Sequence, residues 1–140
     1  MPKNEIIIDA NVLFASLIKE GVTRRIILNE KFSFCVPAYI IEEFLEHIGE
    51  IEQKTNVKKR ILKRKLKEFL RLANITVIEK EELEDFLGQA NKISPDPNDI
   101  HYFALALKLN CPIWSNDKKL KEQKQAIVYN TRDMIEKYQL

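Results

Sequence analysis

Ile6-Ile7-Ile8-Asp9-Ala10-Asn11-Val12-Leu13 decides the fold class. Three successive β-branched apolar residues read as a short strand buried on both faces, as in a parallel sheet. Asp9 ends the run. Val12, Leu13, Leu17 and Ile18 then fall on one side of a helix over residues 11–19. The same alternation continues along the chain. Strands are expected over residues 32–36, 75–78, 111–115 and 126–129. Helices are expected over residues 23–29 with Thr23 as cap, and over residues 38–53 as one long amphipathic helix. The latter turns Ile40, Ile41, Phe44, Leu45, Ile48 and Ile51 inward. A basic helix capped by Asn56 carries the stripe Leu62, Leu66, Phe69, Leu70 and Ala73. Further helices are expected over residues 81–91, over residues 100–109 with Asn98 or Asp99 as cap, over residues 116–120, and after Thr131 as cap. Five strands alternating with helices give an α/β fold with a mostly parallel sheet.

The 140 residues suit a single domain, 1–140. With 45% hydrophobic and 31% charged residues, the chain holds enough apolar content for a core, which argues against disorder. No apolar run approaches the ~18 residues of a membrane span. Met1 to Glu5 runs into the first strand without an apolar leader, so no signal peptide is expected. Cys35 and Cys111 show no metal-ligand spacing and read as small hydrophobes in a reducing cytosol. A cytoplasmic location is therefore expected. The net charge of +2 hides an asymmetry. Residues 54–71 hold nine basic side chains and one acid, a local +8 that leaves −6 on the rest of the chain.

Four acids stand where packing does not require them. Asp9 ends the first strand and Asp117 follows the fourth, and chemistry in open parallel sheets collects beyond the carboxyl ends of strands. Asp99 stands at the start of a nearly all-apolar helix, where the dipole favours a carboxylate. Glu43 falls in an inward-facing stretch near the start of its helix. Singly, each has an ordinary role as a cap, turn or surface residue. Together, converging carboxylates repel and need a cation, and hard oxygen donors suit Mg²⁺ or Mn²⁺.

Four segments carry a resemblance to the PIN domain family: residues 6–13, Pro37 to Leu45, Asp96 to Leu107, and Ile113 to Leu120. They occur in the family's order and spacing over nearly the whole chain. The resemblance implies a three-layer α/β/α sandwich and metal-dependent endoribonuclease activity. It places the family's acidic positions on Asp9, Glu43, Asp99 and Asp117, with Asp9, Asp99 and Asp117 as metal ligands. Its polar support and substrate-side positions fall on Asn11 and Ser115. Glu42 and Asp96 are the rival assignments. Glu43 is preferred for the large apolar residue that follows it, and Asp99 for the small Ala106 seven residues on. Asn116 stands where many members carry Gly. Lys118 and Lys119 replace a further acid, which bears on a second metal. Many members are toxins held by an antitoxin protein, others act in RNA processing, and homodimers are common. The stripe of Leu62, Leu66, Phe69 and Leu70 reads as core or dimer packing, and its surface near Phe69 is the candidate for a dimer.

A divalent cation held by carboxylates acidifies water and neutralises a scissile phosphate, so no histidine base is required. His47 reads as an exposed helix residue and His101 as mainly helix packing. No phosphate-binding glycine loop is present. The basic segment, with Lys58, Lys59 and Arg60 foremost, supplies the phosphate contacts that an acidic body lacks for RNA. Two rival readings remain. One is a catalytically silent RNA-binding module of the same fold, which would lose the acids. The other, phosphatase chemistry, wants a second acid where Asn11 stands.

Overall fold

The computed structural model describes residues 3–140; the reading of Met1 and Pro2 as a plain lead-in lies outside them. Five strands form one all-parallel sheet in the order β3-β2-β1-β4-β5. These are β1 (Asn4–Ile8), β2 (Phe32–Pro37), β3 (Ile75–Ile78), β4 (Ile113–Trp114) and β5 (Val128–Tyr129). Ile7 is in register with Cys35 on one side and Ile113 on the other. Ile6, Ile7 and Ile8 are fully buried, as a central strand covered on both faces requires. Helices flank the sheet in the expected sandwich. Helices α1 (Ala10–Ile18), α2 (Val22–Ile27) and α5 (Lys59–Leu72) pack together, while α7 (Ile100–Leu109) lies against β1 and β2 with α6 (Glu84–Ile93) beside it. The last helix, α8 (Thr131–Tyr138), packs on β5.

Several local expectations are corrected. The helix expected over residues 38–53 breaks at His47 into α3 (Ala38–Glu46) and α4 (Ile48–Thr55). His47 sits at φ −104°, ψ 13°. Its N–H closes α3 on Glu43 while its carbonyl accepts the first bonds of α4. The break turns Ile48 into the core and leaves Leu45, expected inward, 45% exposed. Asn56 does not cap the basic helix. It closes α4 in the left-handed region at φ 60°, a conformation Asn tolerates. The start of α5 is held instead by Glu52, whose carboxylate accepts the Lys59 N–H at 2.9 Å. Thr23 lies inside α2, which opens at Gly21 without a side-chain cap. Asn130, not Thr131, caps α8, in a reciprocal box with Asp133.

The apolar stripe of α5 is core rather than a free surface. Leu62, Leu66 and Phe69 are buried, and the Arg24 guanidinium lies 5.6 Å from the Phe69 ring centre. Arg24 also donates to the Ser16 carbonyl at 2.8 Å, satisfying the end of α1. The Phe69 stripe is therefore unavailable as the dimer surface it was expected to be. Both cysteines are free. Burial pushes the Cys35 thiol up to about 11 and the Cys111 thiol up to about 12, so neither is a reactive thiolate at neutral pH. Among the described residues, no helix is long and apolar enough to cross a membrane.

Candidate active site

Asp9 follows the central strand, its N–H bonded to the Trp114 carbonyl at 3.0 Å. Its side chain is 7% exposed and hydrogen-bonded through both oxygens. Oδ2 accepts the Ser115 hydroxyl at 2.6 Å. Oδ1 accepts the Tyr102 hydroxyl at 3.1 Å and the Asn11 N–H at 3.3 Å. The Tyr102 oxygen in turn accepts the Ala10 N–H at 2.8 Å. Residues from α1, α7 and the end of β4 thus hold one buried carboxylate in one orientation, as charge-assisted hydrogen bonds do.

Ser115 is 1% exposed and also accepts the Asp117 N–H at 3.1 Å. It ties the first acid to the loop of the last and has no surface to offer substrate. Asp117 turns one oxygen back to the Lys119 N–H at 3.0 Å, opening the 3₁₀ turn Lys118–Glu122. Asn116 accepts the Thr131 N–H at 2.8 Å, and Thr131 accepts the Trp114 indole N–H at 3.1 Å, which anchors this loop to α8.

Asp99 stands at the N-cap position of α7 yet makes no capping hydrogen bond. The capping is done three residues earlier, where Asp96 accepts the Asn98 N–H at 2.9 Å. The Asp99 carboxyl is therefore free of the helix. Partial burial, then the charges of Asp9, Asp96 and Asp117, push it up to about 6, with Lys119 opposing. Lys119 Nζ lies 3.4 Å from Asp96 Oδ2. Asp96, the rival of Asp99, thus lies in the same acid cluster and carries its cation. Glu43 acts elsewhere: exposed on α3, it accepts the Tyr39 hydroxyl at 2.6 Å and its charge bears on His101. Burial lowers the His101 pKa, reinforced by Lys80 and opposed by Glu43.

The raised Asp99 pKa carries a sign. The contribution is fully present below the ordinary carboxyl value of 3.8 and is lost as pH rises through about 6. In metal-free protein, Asp99→Asn should therefore gain stability relative to wild type between pH 4 and pH 7. The gain should be about 1 kcal/mol after discount for solvent screening. Denaturant melts of both proteins at the two pH values check this. An equal difference at both would remove the repulsion.

Asp9, Asp99 and Asp117 present the oxygens a hard divalent cation accepts. The mutual repulsion on Asp99 is what such a cation relieves. Among the described residues, no three acids, histidines or cysteines stand close enough together to hold a metal ion as they are. Asn11 presents its side chain at the surface beside Asp9. Lys58, Lys59 and Arg60 begin α5. Because β2 and β3 are parallel, the chain must return from the carboxyl to the amino edge of the sheet between them. That return directs the start of α5 toward the acid edge. The reading of the sequence missed Tyr102. The general signal is only that a buried phenol hydroxyl needs a partner, which does not say which one.

A family model for the PIN domain matches residues 7–137. Comparison with curated protein sequences gives no match. Among solved structures, the chain is similar to the crystal structure of VapBC2 from Rickettsia felis bound to a DNA fragment from their promoter. The identity is 15%, over 90% of this chain and 98% of that one, with a TM-score of 0.71. At that identity the likeness speaks for the fold. On the family match over nearly its whole length, the chain belongs to the PIN domain family.

Proposed function

We propose that this protein is a metal-dependent endoribonuclease that hydrolyses RNA phosphodiester bonds with Mg²⁺ or Mn²⁺. The observation that supports it best is Asp99, a carboxyl at a helix start that caps nothing and is pressed by the charges of three neighbouring acids. Membership of the PIN domain family points the same way. When bound, a divalent cation supplies a Lewis acid for the scissile phosphate and acidifies water. Asp9, pinned by Ser115 and Tyr102, gives it a fixed carboxylate, while Asp99 and Asp117 complete the oxygen set. Ser115 and Tyr102 orient Asp9 rather than meeting substrate, as the supporting shell of a metal site does. Glu43, exposed on α3, holds the Tyr39 hydroxyl. We assign a toxin's role within a toxin–antitoxin pair, with a protein antitoxin as partner in the cytoplasm. The neighbour of known structure, itself an assembly on promoter DNA, favours this over RNA processing.

Purified protein should cleave single-stranded or structured RNA in Mg²⁺ or Mn²⁺, and a chelator should stop it. Chelator-resistant cleavage would overturn the metal. No cleavage with any metal would favour the silent RNA-binding module.

The basic arm is assigned to substrate binding. Replacing Lys58, Lys59 and Arg60 with Gln should lower the slope of log affinity against log salt by about 0.7 per lost phosphate contact on single strands. The weakening should be nearly uniform across RNA sequences, because phosphate contacts position and do not specify. A wild-type slope in the triple variant would make the arm a solvated surface.

A further inference from the structure

At the carboxyl ends of β2 and β3, with His101, two residues after Asp99, in its wall, lies a cavity of about 400 Å³. That is within the ~300–1,000 Å³ range of small-molecule clefts. Tyr39 from α3 and His101 from α7 line it, with their rings stacked 4.9 Å apart and 14° from parallel. The Tyr39 hydroxyl is fixed on Glu43 at 2.6 Å, so the phenol of the pair is held by an acid of its own helix. Glu42, Glu79, Lys80 and Glu81 form the polar part of the wall. Glu79 is committed to a reciprocal capping box with Glu82. Glu42 and Glu81 form no ion pair among the described residues.

This combination suits a base better than a phosphate. Of two rings stacked on each other, an outer face is left on which a further ring can extend the stack, the way unpaired bases stack on aromatic side chains. Carboxylates repel phosphate but accept N–H groups. Guanine is the base with two adjacent donors, N1–H and the N2 amine, along one edge, and a carboxylate accepts such a pair with both oxygens. Lys80 supplies the one cation of the wall, suited to the phosphate next to that base.

We propose that this cavity is a base subsite that takes a guanine of the RNA next to the scissile bond. The guanine stacks on the Tyr39–His101 pair and donates its Watson–Crick edge to Glu42 or Glu81. The identity of the ligand rests on the ribonuclease reading, while the subsite is tested without it. Guanosine, inosine, adenosine and cytidine 5′-monophosphates are titrated into the protein while the ring protons of Tyr39 and His101 are followed by NMR. Guanosine monophosphate should shift both rings and bind about tenfold more tightly than the adenosine and cytidine forms. Inosine monophosphate, which lacks the N2 amine, should fall between. His101→Ala should weaken guanosine monophosphate about tenfold, the scale of one lost base–aromatic stack. Tyr39→Phe keeps the ring and should keep the binding. Glu42→Gln with Glu81→Gln should erase the preference of guanosine over inosine. Equal binding of all four nucleotides, or no shift at either ring, would overturn the subsite. Mapping of cut sites separates the two claims. Cleavage without guanine beside the cut overturns the subsite and leaves the nuclease. Guanine binding without metal-dependent cleavage overturns the nuclease and leaves the subsite.

Discussion

Asp9→Asn should reduce RNA cleavage by more than about a hundredfold while the protein still folds. The loss follows from removing the one carboxylate that the structure holds rigid at the end of the central strand. The stability change should stay within about 1 kcal/mol, because two effects oppose. Replacing the charge relieves the pressure on Asp99. The new amide NH₂ must also meet the Ser115 hydroxyl, which donated to Asp9 Oδ2 at 2.6 Å. Ser115 can accept instead, but its hydrogen then lacks a partner. Cleavage assays at saturating metal, paired with denaturant melts, check both halves. Undiminished metal-dependent activity would remove Asp9 from the site.

Tyr102→Phe should have the largest effect on stability that one atom can produce here. The lost oxygen donates to Asp9 Oδ1 and accepts the Ala10 N–H. Its removal strips a charge-assisted bond from a buried carboxylate and leaves a partly buried N–H without a partner. A cost of about 2 kcal/mol is expected, or a melting temperature about 6–8 °C lower for a chain of this size. Divalent metal affinity should fall about 10–100-fold, the usual loss when a ligand's supporting bond is cut. Calorimetric melting and Mn²⁺ titration test the two separately. An unchanged melting temperature with intact metal affinity would show that the phenol is packing only.

The sheet was legible because its signal is local. Three β-branched residues in a row, followed by helical spacing, leave a buried parallel strand as the reading at Ile6–Ile8. The break at His47 was not legible. Periodicity continues through it, and the apolar pattern does not mark where one helix ends and the next begins. Asn56 misled for a similar reason. Asn serves equally at a helix start and in the left-handed position that ends one, and here it ends α4. In the site, the places of Asp9, Asp99 and Asp117 at strand ends and a helix start could be read directly. The Asp96–Lys119 pair could not, since it joins residues 23 apart across two turns. Tyr102 was hidden in an apolar helix, where nothing local distinguishes a phenol that packs from one that holds a carboxylate 93 residues away.

The bond from Ser115 to Asp9 spans 106 residues, and it fixes when the site can exist at all. During synthesis Asp9, Glu43 and Asp99 are all made before β4 and Ser115. A nascent chain that ends before β4 has no hydroxyl to orient Asp9 and lacks the fourth acid. It also leaves β1, the central strand, with an open edge. Contacts of such long range close late. The hydrogen-bonded arrangement around Asp9 therefore forms only once Ser115 is available. Translation stalled upstream of Ile113 yields a fragment without an assembled site.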